Sequence, residues 1–277
     1  MPKKRLDPSV FNIPVDKIKS GYYTDKYFVH TRNILLKDNM HTKVLMQVFT
    51  RSDGILCGID EAIAILKLCA YQPEKLKIYA LHDGDKISKN ETVMTIEGDY
   101  STFAHLETVY LGVLSRGTSV ATATRKVVEA AAGKPVLFFP ARYDHYLNQP
   151  SDGYAAYIGG APSVSTDAQG EFFHKEGIGT MPHGLIAAYA GDTVKAAIAF
   201  DKYLPEDVKR IVLVDFDNDC IGTTLKVAKV LGKRLWGVRF DTADDLIDKS
   251  VTGRTEDSYG VCAELCFKAR EIFDREG

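Results

Sequence analysis

The chain has 277 residues, with 35 Lys and Arg against 37 Asp and Glu, a formal net charge of −2, and 45% hydrophobic side chains. That balance excludes a polyanion-coating surface, which needs a clear excess of positive charge, and a chain too polar to fold. No apolar run reaches the roughly 18 residues of a membrane-spanning helix. The opening MPKKRLDPSV is basic without an apolar stretch behind it, so it does not read as a secretory signal. Cysteines at 57, 69, 220, 262 and 266 fit neither a disulfide framework nor a zinc site, which points to a reducing, cytoplasmic setting.

In chain order, Tyr22–Lys37 reads as a helix with Thr24 as cap, and Gly58–Leu68 as a more regular amphipathic helix. Leu76–Gly98 has short alternating stretches broken by Asp83-Gly84-Asp85 and Lys89-Asn90, the chemistry of a small antiparallel element. Ser101–Gly133 reads as two helices broken near Gly117. Beyond it, apolar runs at Pro135–Phe139, Ala155–Ile158, Ile178–Met181, Ile211–Asp215 and Leu235–Phe240 read as strands. Helices are expected at Thr193–Leu204, Thr223–Leu231 and Ala263–Phe273. The fold class is therefore α/β: an N-terminal α+β domain with linking helices (1–133), followed by parallel strands covered by helices (134–277). About five strands are too few for a closed eight-stranded barrel, so an open sheet or an irregular, incomplete barrel is expected.

Ligands in parallel α/β folds sit at the C-terminal ends of the strands. Those ends carry Arg142 with Asp144 and His145, then Gly159-Gly160-Ala161-Pro162-Ser163, then Gly179, Thr180 and His183. Asp215 follows with Asp217 and Asp219, and last come Arg239 and Asp241. Arginines suit phosphate or carboxylate, and carboxylates suit Mg²⁺ or ribose hydroxyls. Each residue also has an ordinary use: Asp215 as a helix cap, His183 as a loop residue, Arg239 and Asp241 as an internal ion pair. The glycine turns match neither a Walker nor a dinucleotide-binding pattern. Cys262 and Cys266 read as core or surface thiols, and Tyr22, Tyr23 and Tyr27 as packing residues.

With these residues in place, the chain resembles the nicotinate phosphoribosyltransferases, of the type II phosphoribosyltransferase group. The stretches that carry the likeness are YYTDKYF at 22–28, LETVYLGVLSRGTSVAT at 106–122, IGTMPHGLI at 178–186 and LWGVRFDTADDLIDKS at 235–250. FFPARYDH, AAYIGGAPSVST and IVLVDFDND follow the same order. The resemblance implies transfer of a phosphoribosyl group from phosphoribosyl pyrophosphate to nicotinate, giving nicotinate mononucleotide for NAD synthesis. It implies Mg²⁺, and ATP as a co-substrate acting through a phosphorylated histidine, here His183. It also implies that Arg142 binds the anionic substrate, with Asp215 and Asp241 near ribose and metal. Gly179 and Thr180 would hold the pyridine, with Arg239 in the substrate site, and Tyr27 would reach the ring from the other subunit of a homodimer. No nucleic acid or membrane partner is implied. The family's further strands and glycine-rich phosphate turn are not in this sequence, so a shortened chain is expected. Quinolinate phosphoribosyltransferase and a catalytically inactive homologue are the alternatives, with nicotinamide a third acceptor.

Overall fold

A computed structural model describes residues 4–253 and 255–277. The chain forms two compact units, the first running to Ile178 and the second from Gly179. The first is an α+β unit: α1 (Val15–Ser20), α2 (Lys26–Lys37), β1 (Lys43–Phe49), β2 (Gly54–Ile55), α3 (Ile59–Cys69), β3 (Lys77–Ala80), β4 (Lys86–Ile87) and β5 (Thr92–Asp99). The long α4 (Glu107–Ala130), β6 (Leu137–Phe138), α5 (Gln149–Gly159), β7 (Ser163–Val164) and α6 (Asp167–Gly170) complete it. Strands β1, β5 and β3 pair antiparallel with β5 central, and β2 pairs antiparallel with β4. β1 exposes Lys43, Leu45, Gln47 and Phe49 and turns Val44, Met46 and Val48 inward, the two-residue period of a half-solvated sheet. Helix α3 packs Ile59, Ile65 and Leu66 with Met94, Ile96, Leu106 and Tyr110 in one core.

Three sequence expectations are corrected here. Ala155–Ile158 lies in helix α5, not a strand: Pro150 opens the helix, Gly160 closes it at φ 107, and Tyr154, Ala155 and Ala156 are buried. A short, wholly apolar run does not distinguish a strand from a buried helix. The parallel partner of β6 is instead β7, with Leu137 opposite Ser163 and Phe138 opposite Val164. Nor is α4 broken at Gly117. A Cβ there would stand 2.9 Å from the carbonyl oxygen of Cys57, so this glycine admits close packing inside a continuous helix. Finally, Asp25 is the N-cap of α2, while the Thr24 hydroxyl donates to the His105 carbonyl at 2.6 Å. The expected domain division at 133/134 falls just past α4, and α5 packs back along α4.

The first unit buries opposing titratable groups. Burial, with Asp83 nearby, pushes Glu61 up to about 7. Burial likewise raises Asp83 to about 6, although the Ile59 N–H and the Tyr154 hydroxyl donate to it. Burial, aided by Arg32, lowers His105 to about 4. The raised carboxyls bind protons more tightly folded than unfolded, so their contribution weakens as pH rises through about 7 for Glu61 and about 6 for Asp83. His105 acts oppositely, costing stability as pH falls from its ordinary value towards about 4. Glu61→Gln is therefore expected to raise the melting temperature over the unmodified chain by more at pH 8 than at pH 5. A pH-independent difference in thermal melts would contradict this.

The second unit contains α7 (His183–Ala188), α8 (Thr193–Tyr203), β8 (Arg210–Leu213), α9 (Cys220–Leu231), β9 (Leu235–Arg239) and α10 (Ala263–Glu276). Strands β8 and β9 are parallel, joined through α9 as expected of a crossover connection. Val212, Leu213 and Val214 form the core with Val227, Leu231, Leu265 and Ala269. Met181, expected in a strand, lies outside any assigned one, but its N–H donates to the carbonyl of Ile211 at 3.1 Å. The fold is thus mixed α/β with an N-terminal α+β part, and no closed barrel forms among the described residues. No described helix is long and apolar enough to cross a membrane.

Candidate active site

Register builds the site of the second unit. Leu213 at the end of β8 stands opposite Arg239 at the end of β9. Two residues on, Asp215 and Asp241 leave the same end of adjacent parallel strands, where an α/β fold presents its ligands. His183, the first residue of α7, reaches both. Its Nε2 lies 2.9 Å from Oδ2 of Asp215, and its Nδ1 lies 3.8 Å from Oδ2 of Asp241. The same Asp241 oxygen accepts from Nη2 of Arg239 at 2.6 Å, and Nη1 of Arg239 donates to the Thr180 hydroxyl at 3.0 Å.

These side chains differ in solvent access, which separates what they can do. The Asp215 side chain is only 4% exposed, whereas that of His183 is 45% exposed and open to a ligand. An ionised carboxylate only accepts hydrogen bonds, so Nε2 of His183 carries the proton donated to Asp215. In a neutral ring so oriented, Nδ1 holds the lone pair. The other Asp215 oxygen, Oδ1, is buried without a hydrogen-bond partner, an expensive condition that a cation or a donor from a ligand would relieve. Among the described residues no group of three or more His, Cys, Asp or Glu could hold a metal ion. Mg²⁺ nonetheless suits one or two carboxylates that share it with substrate phosphates, and Asp215 meets that need.

Five sequence candidates of the second unit, Thr180, Arg239, Asp241, His183 and Asp215, are thus joined in one chain of contacts, with Gly179 adjacent in sequence to Thr180. An added Cβ at Gly179 would meet nothing, so that stretch leaves open space beside Thr180. Arg142 and Tyr27 belong to the first unit. Arg142 is exposed in the turn after β6, its guanidinium 5.9 Å from the Tyr143 ring. Tyr27 is 61% exposed near the start of α2, its ring centroid 4.3 Å from that of Phe28.

Two residues escaped the sequence reading. Asn218, at φ 53, donates through Nδ2 to the Ile247 carbonyl at 2.7 Å and keeps a buried Oδ1 without a partner. The tight turn after Asp215 was its signal, since Asn tolerates a left-handed backbone. Arg116 on α4 forms a fork on Asp152, at 2.8 and 2.7 Å, and also holds Asp144. Chiefly through Arg116, the Asp144 carboxyl is brought down to about 2. An arginine among Leu114, Ser115 and Gly117 was the visible cue.

Residues 25–118 match the family described as quinolinate phosphoribosyl transferase, N-terminal domain. The nicotinate phosphoribosyltransferase of Bacillus subtilis is 24% identical over 292 residues, covering 92% of this chain and 55% of that protein. A probable carboxylating nicotinate-nucleotide pyrophosphorylase of Methanocaldococcus jannaschii is 29% identical over 132 residues, or 47% of this chain and 44% of its own length. Among solved structures, the nicotinate-nucleotide pyrophosphorylase of Pyrococcus furiosus is similar with a TM-score of 0.76 and 39% identity. That match covers 84% of this chain and 60% of the other. The chain spans about half the length of these two curated relatives. Its homologues are phosphoribosyltransferases of type II, and the solved structures it resembles include quinolinate phosphoribosyltransferase-type α/β barrel enzymes.

Proposed function

We propose that, as its type II phosphoribosyltransferase relatives suggest, the chain serves phosphoribosyl transfer to a pyridine carboxylate, with nicotinate as the acceptor. The observation that carries this reading is the parallel register that sets Asp215 and Asp241 around His183, with Arg239 beside them. In the reaction the bond from C1 of the ribose to pyrophosphate breaks, the leaving group takes the electron pair, and the pyridine nitrogen bonds to C1. The nitrogen already has a lone pair, so no general base is needed and placement supplies much of the rate. Asp215 and Asp241 favour the positive ribosyl centre electrostatically. Arg239 and Thr180 face the acceptor carboxylate and Gly179 leaves room for the ring; Arg142, of the first unit, keeps the role of binding the anionic substrate that the resemblance implies. Tyr27 belongs to the ring site of a neighbouring copy in a homodimer.

When bound, Mg²⁺ would neutralise the departing pyrophosphate, with Asp215 and Asp241 as its protein ligands. ATP is proposed as co-substrate: the γ-phosphorus would exchange its bond to ADP for one to Nδ1 of His183. The fixed negative charge so added would alter the affinities of neighbouring anions.

A second reading, quinolinate as acceptor, has the better support from the comparisons, in the match at 25–118 and in the names of the archaeal relatives. Two carboxylates on the acceptor would call for several converging cations. In the contacting cluster of the second unit, Arg239 supplies the arginine, already shared with Asp241 and Thr180. Steady-state assays with phosphoribosyl pyrophosphate, Mg²⁺ and each acid are expected to give turnover with nicotinate. Turnover with quinolinate alone would establish the second reading, and turnover with neither would remove both.

A further inference from the structure

In the first unit, a cavity of about 210 Å³ opens between the start of α3, the middle of α4 and α5. Gly112, Val113, Cys57 and Tyr154 contribute its small and apolar walls, while Glu61 and Arg116 bring polar groups to it. Neither polar group is fully used by the protein. Among the described residues Glu61 makes no hydrogen bond or ion pair. Arg116 spends Nε and Nη2 on Asp152 and Asp144, and its Nη1 takes part in none of those bonds. An acceptor and a donor thus line one partly apolar space, and the Arg116 side chain, 43% exposed, leaves its Nη1 open to a ligand. Cavities of about 150 Å³ accept a ring the size of benzene, so the space suits one six-membered ring with a small substituent.

We propose that this cavity binds a small planar carboxamide, whose N–H donates to Glu61 and whose carbonyl accepts from Nη1 of Arg116. A carboxamide presents one donor and one acceptor, one for each of the two unused groups. A carboxylate would meet Glu61 with like charge, and an alkylammonium would leave Nη1 unanswered. The Ser151 hydroxyl already donates to the Asn148 carbonyl, which leaves it only as a further acceptor for the ligand N–H. The proposal does not rest on the phosphoribosyl reading, and its test needs no turnover.

Calorimetric titration with benzamide at pH 8, against benzoate and benzylamine, reads the site directly. Benzamide is expected to bind in preference to both. Glu61→Met removes the acceptor at similar volume, and Gly112→Leu adds bulk to a lining position where an added Cβ meets nothing within 4 Å. Each is expected to weaken benzamide binding about tenfold or more, with folding checked by denaturation. The proposal is overturned if benzamide does not bind, if benzoate or benzylamine binds as well, or if either folded variant keeps full affinity.

Discussion

Asp215→Asn is expected to lower phosphoribosyl transfer by about 10²-fold or more, with little change in melting temperature. The side chain is nearly isosteric, so the packing beside His183 survives, but the charge proposed to face the ribosyl centre is lost. The amide can also offer His183 a donor in place of an acceptor, which reverses the tautomer; comparable losses of orientation cost about 10²–10⁴ in turnover elsewhere. Because the Asp215 side chain is 4% exposed and hydrogen-bonded to His183 at 2.9 Å, the effect is expected in kcat more than in KM for nicotinate. A variant with unchanged kcat and a lowered melting temperature would make Asp215 a structural residue and remove it from the chemistry.

Arg210→Met is expected to destabilise the second unit by about 3–5 kcal/mol, the cost of leaving four backbone carbonyls without their donor and Asp201 with one cation fewer. Arg210 is 8% exposed. Its Nε donates to Asp201 at 3.1 Å, and its Nη2 donates to the carbonyls of Asp201 and Leu204, both at 2.9 Å. Nη1 donates to the carbonyls of Pro205 and Val208. One side chain thus pins the chain between α8 and β8. Asp201, 8% exposed, would retain only Arg234 at 2.6 Å. With total stabilities of about 5–15 kcal/mol, such a loss is large. Trp236 in β9 is the single tryptophan, so urea unfolding followed by its fluorescence reports this unit. A midpoint close to that of the unmodified chain would contradict the role assigned to Arg210.

The second unit was the more legible in sequence. Ile211–Asp215 and Leu235–Phe240 are apolar runs closed by charged residues, and a crossover helix between them implies parallel pairing. Asp215 and Asp241 at adjacent strand ends followed from that pattern alone. Their contact with His183 did not, because it depends on how α7 begins after Pro182. In the first unit, the Ala155–Ile158 run misled because a helix buried on most sides is as apolar as a parallel strand. Gly117 misled because a glycine that admits Cys57 looks the same in sequence as one that ends a helix. The unpaired Glu61 was invisible for another reason: its place in the first turn of α3 is also where an exposed acidic residue would be favoured.

Nitrogen NMR of imidazole-labelled protein, titrated with nicotinate mononucleotide, tests the central claim most directly. His183→Gln assigns the resonance among the seven histidines. The nucleotide is expected to shift the His183 ring signals, and to bind about tenfold or more weakly to Asp215→Asn, in keeping with the loss of a charge-assisted contact. Saturable binding that leaves the His183 signals unmoved, or no binding at all, would contradict a phosphoribosyl site at the ends of β8 and β9.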